Sequence, residues 1–485
     1  MSERAAGRLV WGCFAAGLLL SALMVARSQV GGDQLNLLAR GWLLEARGQF
    51  ISFGNPMSTG GRSPGGITSL LTGLPLLVWH DHRAPTLVVL LFHVLAFVIL
   101  DRAVRPVLAA HERLLLAVFY WLGPWRLYYS GFLWNPNYLY LFGALHLATA
   151  LDQRRRAGFW ASFLHFAGLL VALQIHASAL LLVAASALLW WRGYLKLHRA
   201  GALAGLLAAS LPLAPWLRDV LRNPALLAEV HKGFLGRGLI HSLPRGALYW
   251  LRYPALSLAG RMATFDFSEA FGSAADLRLF WPSWALTQVV GWTSIALPLL
   301  ANLWLWRRWR RRALRRFPED APGRAWLRGY VLVTATAAAV VLALSPTTFM
   351  YWQGLILFHA AVLPVVFWLG ALARAPRRPS PEQPAGLRWE APPRLLARPV
   401  AIGVAVYAGC AVLVGLGMAF GSPDYRCRGD ETVVFPLRSD SPMFRDLGIQ
   451  RTCPWPLDVP QGWWPDVLPE ESSAAVAARD ASVAR

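Results

Sequence analysis

The feature that most limits what this chain can fold into is a succession of apolar runs, each of roughly 15 to 22 residues, broken by arginine-rich or proline- and glycine-rich segments. At about 1.5 Å of rise per residue, a helix of that length approaches the roughly 30 Å of hydrocarbon in a bilayer. Runs of this kind cover 9–26, 86–101, 114–130, 137–152, 159–175, 177–191, 200–217, 285–306, 330–345, 353–371 and 400–420. Only 15% of the 485 residues are charged, against about a quarter in an ordinary soluble protein. Too few charges remain to clothe a water-facing surface of that size, so much of it must face lipid. The expected fold class is an all-α polytopic membrane protein of about 11 transmembrane helices.

A further apolar piece, 65–79, begins and ends with helix-breaking residues. Fifteen helical residues reach roughly 22 Å, short of the hydrocarbon thickness, so this piece is expected to be re-entrant or to lie against the bundle. Arginines set the orientation. The strongest clusters, 154–156, 192–199, 307–316 and 374–398, can all be cytoplasmic only if an even number of crossings separates each pair, and the spans above satisfy this. The N-terminus and 102–113 then lie inside, while 27–85, 124–136, 218–284, 346–352 and 421–485 lie outside. The net charge of +21 is explained by this topology rather than by nucleic acid.

The first run follows Arg4 and Arg8, but 27–29 makes a poor small-residue cleavage site, so the run reads as an uncleaved anchor. Residues 1–420 form the expected transmembrane domain, with 374–399 a cytoplasmic linker. Residues 421–485 form a small extracytoplasmic region, where Cys427 and Cys453 are candidates for a disulfide. In the first outer loop, 36–44 has apolar residues at helical spacing, which predicts an interfacial helix with Trp42 at headgroup depth. No regular element is expected over the glycine- and proline-rich 54–66. In the second long loop, 244–260 predicts an amphipathic helix near the membrane surface.

One acid stands out. Asp33 follows Gly31-Gly32 just beyond the outer end of the first run, where a carboxylate can act as a general base or hold a sugar hydroxyl. It would serve equally as the N-cap of the helix that follows. His80-Asp81-His82 has two histidines too close in sequence to chelate one ion easily, and reads as a surface turn. His176 and His359 fall at or inside spans, where neutral histidines bonded across helices account for them as well as a functional role does.

The order of these features resembles the GT-C type membrane glycosyltransferases that use polyprenyl-phosphate sugars, the group containing protein O-mannosyltransferases and lipid A aminoarabinose transferases. The resemblance is carried over 9–160 by Gly32-Asp33-Gln34, Ala39 with Gly48, Ser63-Pro64-Gly65-Gly66, and Tyr128-Tyr129-Ser130 leading to Asn135-Pro136-Asn137. It implies that Asp33 is the base that deprotonates an acceptor hydroxyl, and that the sugar passes with inversion at the extracytoplasmic face of a bacterial inner membrane. The acceptor would be an envelope glycan such as lipopolysaccharide, a lipid or a protein. Membrane lipids would be further partners, with no cofactor, no metal and no nucleic acid.

Outer-side cations Arg62, Lys232, Arg237, Arg245, Arg252 and Arg261 are the candidate ligands of the donor phosphate, and Tyr128, Tyr129, Trp134, Asn135, Tyr351 and Trp352 the candidate sugar or lipid contacts. Each cation could instead meet lipid phosphate or solvent, and tyrosine and tryptophan populate both interfaces of any membrane protein. The chain departs from the family pattern in carrying Asp33-Gln34 in place of an acidic pair, and no acid within 134–137. That leaves a single-base mechanism or a non-catalytic relative. The alternatives are a transporter or flippase of a lipid-linked substrate, or a membrane scaffold.

Overall fold

A computed structural model describes residues 3–26, 28, 33–56, 62–224, 238–258, 265–266, 285–313, 322–345, 348–373, 397–420, 422–423, 443 and 446–447. Its elements run α1 (Glu3–Ala26), α2 (Asp33–Arg47), β1 (Phe53–Pro56), β2 (Arg62–Pro64), α3 (Ile67–Val78), α4 (Arg83–Val104), α5 (Ala110–Leu116), α6 (Pro124–Tyr129), α7 (Leu139–Asp152) and α8 (Phe159–Ile175). There follow α9 (Leu180–Trp191), α10 (Arg199–Ser210), α11 (Ala214–Arg222), α12 (Leu243–Arg252), α13 (Ala296–Ala313), α14 (Gly323–Ala343), α15 (Phe358–Leu372) and α16 (Ala397–Phe420).

Six described helical stretches are long and apolar enough to cross a membrane: Glu3–Ala26, Arg83–Val104, Arg199–Arg222, Gly323–Ala343, Leu355–Leu372 and Arg398–Ala419. The chain is therefore an all-α protein with the architecture of a polytopic membrane protein. Large apolar side chains such as Trp11, Leu19, Trp160, Leu207 and Ile402 point outward from these and neighbouring helices, as a lipid-facing surface requires and a water-facing one does not tolerate in such numbers.

The run expected at 114–130 is not one helix. After α5 the backbone widens to a π turn over Ala117–Trp121, closed by the Leu122 amide on the Ala117 carbonyl at 3.1 Å. Gly123 and Pro124 then restart it as α6. A Cβ at Gly123 would lie 2.6 Å from the Phe119 carbonyl oxygen, so the wide turn needs glycine, and proline at the first helical position sacrifices no hydrogen bond. This interruption turns the bulky face of α6 into the bundle, with Trp125 and Tyr129 fully buried.

On the expected outer side, two readings from sequence are corrected. Residues 54–66 contain a regular element after all: β1 and β2 pair antiparallel, with Phe53 opposite Pro64 and Pro56 opposite Arg62. Trp42 does not reach out to headgroups. It is 3% exposed, and its indole donates to the Asp446 carboxylate at 3.0 Å. The cause is close packing of α2 on α3, where a Cβ on Gly41 would meet Thr72 at 2.8 Å and one on Gly73 would meet Leu44 at 2.8 Å. Two glycines facing each other let the backbones approach closely, so the apolar face of α2 is spent on α3. At 12 residues, α3 spans about 18 Å, too short to cross on its own.

Segments expected on the same side touch one another. In the outer set, Ser52 donates to Asp219 at 2.6 Å, Phe265 pairs with Pro423, and the His82 amide meets the Leu447 carbonyl at 3.1 Å. In the inner set, Arg324 pairs with the fully buried Glu112, Arg113 grips Asp101 through two bonds of 2.8 and 2.6 Å, and the Lys196 amide meets the Gln153 carbonyl. The His80-Asp81-His82 turn is structural: Asp81 accepts from the Arg83 amide and guanidinium, His82 lies between the Ser28 and Leu447 carbonyls, and His80 pairs with Glu45. His176 caps the turn after α8, its Nδ1 accepting from the Ser178 amide. Cys427 and Cys453 lie outside the described residues.

Candidate functional site

The amphipathic pattern after Gly32 folds as α2, and Asp33 is its first residue. The Asp33 side chain lies outside the described residues, so the backbone alone fixes its position. By helical period, position 33 shares a face with 36 and 40, and those carry Asn36 and Arg40, 3% and 0% exposed. The Arg40 guanidinium donates to the Phe53 carbonyl and lies 5.4 Å from the centre of the Phe53 ring. The acid therefore begins a helix face that continues with buried polar groups, one of them cationic.

A second cluster gathers three loops. Tyr129 stacks on Trp125 and on Trp134, with ring centres 6.4 and 6.2 Å apart, and Trp134 meets Trp352 at 5.3 Å. Tyr351 lies against Trp352 at 4.8 Å, Trp125 at 6.1 Å and Tyr249 at 5.9 Å. Tyr128 packs edge-on to Tyr129 and Phe132. Five of the six residues singled out as sugar or lipid contacts thus form one continuous aromatic body. Tyr129 is fully enclosed within it, whereas Trp134, Tyr351 and Trp352 are partly exposed. The body is pinned by the Tyr253 hydroxyl, which donates to the Tyr351 carbonyl at 2.7 Å, and by the Trp125 indole, which donates to the Arg252 carbonyl at 3.0 Å.

The sixth residue, Asn135, opens the short turn Asn135–Tyr138 that leads into α7. Its side-chain oxygen is buried and has no partner among the described residues. The same holds for Asn137 Oδ1, the Tyr138 and Tyr140 hydroxyls, and His93 Nδ1. Buried polar atoms are hydrogen-bonded as a rule; the turn itself carries three of these atoms, on Asn135, Asn137 and Tyr138, while Tyr138 and Tyr140 pack into different hydrophobic clusters.

Charge enters through two arginines. Arg252 is 6% exposed, bonded to Ser257 at 3.0 Å and to the Leu258 carbonyl, and its guanidinium lies over Trp292 at 4.7 Å and Trp125 at 5.9 Å. Burial holds this group below its ordinary value. Arg126, which sequence reading did not single out, is fully buried, with its guanidinium 3.7 Å above the Trp121 ring. Its hydrogen-bond acceptors are all neutral: the Trp121 carbonyl at 2.7 Å, the Ser21 hydroxyl at 2.8 Å and the Gly17 carbonyl at 3.5 Å. Among the described residues no carboxylate compensates it. A buried cation is expensive unless paired, and Arg126 places its positive charge between α1 and the Trp121 ring.

Of the other candidate phosphate ligands, Arg245 has a described side chain. Arg245 is exposed on α12 and reaches the Met350 sulfur at 3.6 Å. Arg62 begins β2 but its side chain lies outside the described residues, as do Lys232, Arg237 and Arg261 entirely. Among the described residues no group of three histidine, cysteine or acidic side chains is arranged to hold a metal. Searches against protein-family models and against curated proteins find no match to this chain.

Proposed function

We propose that this chain is a GT-C type glycosyltransferase of about eleven crossings, which moves a sugar from a polyprenyl phosphate to a hydroxyl of an envelope glycan, lipid or protein at the outer face of a bacterial inner membrane. The observation that carries the reading is the aromatic body of Tyr128, Tyr129, Trp134, Tyr351 and Trp352, formed by loops expected on one side of the membrane, with Arg252 against its neighbour Trp125 and Arg126 on the short helix that carries Tyr128 and Tyr129. Aromatic faces suit a sugar ring and a prenyl chain. Cations suit a phosphate, and the unpartnered polar atoms around Asn135–Tyr138 suit sugar hydroxyls.

In this reaction Asp33 takes the proton of the acceptor hydroxyl as its oxygen bonds to the anomeric carbon. The bond from that carbon to the phosphate oxygen breaks, and polyprenyl phosphate leaves with the electron pair. Attack opposite the leaving group inverts the anomeric centre. The leaving group is already a stabilised anion, so its need is for cationic or hydrogen-bonding neighbours rather than for an acid. The test is Asp33→Asn with mass spectrometry of lipid-linked sugars and envelope glycans. Accumulation of one polyprenyl-phosphate sugar beside loss of one glycan modification, with the protein still folded, supports the reading. Unchanged glycans would sink it.

A second reading, a carrier of a lipid-linked substrate, is favoured by one observation: His146, His165 and His359 are hydrogen-bonded within the apolar bundle, where ionisable groups commonly mark transport paths. A carrier would move the lipid-linked sugar between leaflets of vesicles without consuming it.

A further inference from the structure

The C-terminal region returns to the helix that begins at Asp33. Met443, Asp446 and Leu447 fall at i, i+3 and i+4, and the Leu447 amide donates to the Met443 carbonyl at 3.0 Å, so the three share one face of a helical turn. Met443 and Leu447 are 2% and 0% exposed. Both join the hydrophobic cluster that contains Leu38, Trp42 and Leu43 of α2, Leu76 of α3 and Val89 of α4. Asp446 is the polar contact of the same face, accepting from the Trp42 indole at 3.0 Å. Two apolar anchors one turn apart are how an amphipathic helix engages a groove.

The helix that leads to this turn is buried elsewhere. Tyr407, Ala411, Val414 and Met418 of α16 lie in the other hydrophobic cluster, together with Leu20 and Met24 of α1. The buried apolar residues of α2 lie in the cluster that takes Met443 and Leu447. Gly31-Gly32 immediately precede α2, and glycine is the residue that constrains backbone direction least. The seat of α2 is therefore set by its contacts rather than by its connection to α1. Contacts with the turn fall on both sides of Asp33. Trp42 follows it on α2. Ser28 precedes it, and the Ser28 carbonyl lies 3.3 Å from His82 Nε2, while His82 Nδ1 and the His82 amide each meet the Leu447 carbonyl at 3.1 Å.

We propose that Met443, Asp446 and Leu447 form a latch, supplied by the C-terminal region, that seats α2 and so positions Asp33. Asp446 and Leu447 are positioning residues: they act on the acid through the helix that carries it. As the element that seats α2, the latch is independent of the sugar-transfer reading. Its effect on Asp33 as a base rests on that reading.

The test is hydrogen exchange over 33–47, read by mass spectrometry on the whole protein in detergent. Asp446→Ala and Leu447→Ala each remove one anchor. Asp446→Asn keeps an oxygen for the Trp42 indole, and Leu447→Met keeps the apolar bulk. Val366→Ala is the control, since it truncates a fully buried side chain in the other cluster. Exchange over 33–47 is expected to accelerate by about tenfold or more in the two alanine variants, and to stay native in the two conservative variants and in Val366→Ala. Native exchange in either folded alanine variant, or equal acceleration in Val366→Ala, overturns the latch. Transfer kinetics read the consequence. In the alanine variants kcat should fall with KM for the lipid-linked sugar little changed, and the conservative variants should restore it, because a displaced base loses rate rather than binding. Faster exchange with kcat unchanged overturns the positioning of Asp33. A native protein without transfer activity sinks the sugar-transfer reading alone, and the exchange result still decides the latch.

Discussion

The Arg126 guanidinium donates to the Ser21 hydroxyl at 2.8 Å, and the Ser130 hydroxyl meets the same oxygen at 2.8 Å. One serine of α1 therefore holds both ends of α6, the short helix that starts the aromatic body. Ser21→Ala removes an acceptor from a buried cation. A hydrogen bond to a charged group contributes about 1.5–3 kcal/mol, so thermal unfolding in detergent should show a loss of that order. Arg126→Gln has a different signature. It removes the uncompensated charge, and the sugar-transfer reading then expects polyprenyl-phosphate affinity to fall by about 10- to 100-fold, the same free energy expressed as binding. Unaltered affinity in a folded R126Q protein would remove Arg126 from the donor site.

The α2–α3 contact gives a second prediction. Gly41→Ala brings a methyl to 2.8 Å from Thr72, where backbone as well as side-chain atoms must move. Overpacking of this kind costs about 1–3 kcal/mol. Asp33 starts the same helix, so transfer activity should fall alongside stability. Gly48→Ala is the contrast: open space surrounds that Cβ, but φ is +62°, so its cost is backbone strain of about 1 kcal/mol at a helix end, with little effect on activity.

How much of this was legible beforehand depended on whether the signal was local. Apolar run length, a property of consecutive residues, gave the six long helices at 3–26, 83–104, 199–222, 323–343, 355–372 and 398–419. Trp42 was misjudged because an apolar helix face looks the same whether it meets lipid or another helix; the facing glycines 41 and 73 were the clue, and they lie 32 positions apart in sequence. The β1–β2 ribbon was missed because glycine and proline suppress strand propensity, while its pairing depends on the packing around Arg40 and Phe53. Arg126 looked like one more arginine near the end of a span. Only the break at Gly123, which turns α6 inward, reveals it as a buried charge. Of the hydrogen-bonded histidines within the bundle, His359 stands out in sequence as a polar residue in an apolar run, but His146 and His165 are linked to it only through the packing of α7, α8, α9, α14 and α15.

The Asp81 turn makes a prediction about pH. Burial acts to raise the Asp81 carboxyl, but its bonds to the Arg83 side chain and amide outweigh burial, and its net position is below the ordinary value of 3.8. A group depressed in the folded state contributes stability above its unfolded value, and that contribution disappears as pH falls through the folded one. The turn should therefore be unaffected near neutrality and loosen only under acid conditions below 3.8. Hydrogen exchange of the Arg83 amide, which donates to Asp81 at 2.8 Å, should accelerate relative to neighbouring helix amides as that range is entered. Asp81→Asn should abolish the step; a step that persisted in the variant would belong to another group.

The Tyr253 hydroxyl, at the end of α12, holds the Tyr351 carbonyl at 2.7 Å and is one polar tie to the 348–354 segment. Tyr253→Phe keeps the ring, including its edge contact with Trp125 at 5.2 Å, and deletes only that tie. The stability cost should be about 0.5–1.5 kcal/mol, the net worth of one hydrogen bond. If Tyr351 and Trp352 bind the donor, freeing their backbone adds disorder that must be removed on binding. KM for the lipid-linked sugar should then rise while kcat changes little, since Asp33 lies on a different loop. A matching fall in kcat with KM unchanged would mean that this segment shapes the transition state rather than the resting complex, and would move the aromatic body from donor binding to the reacting centre.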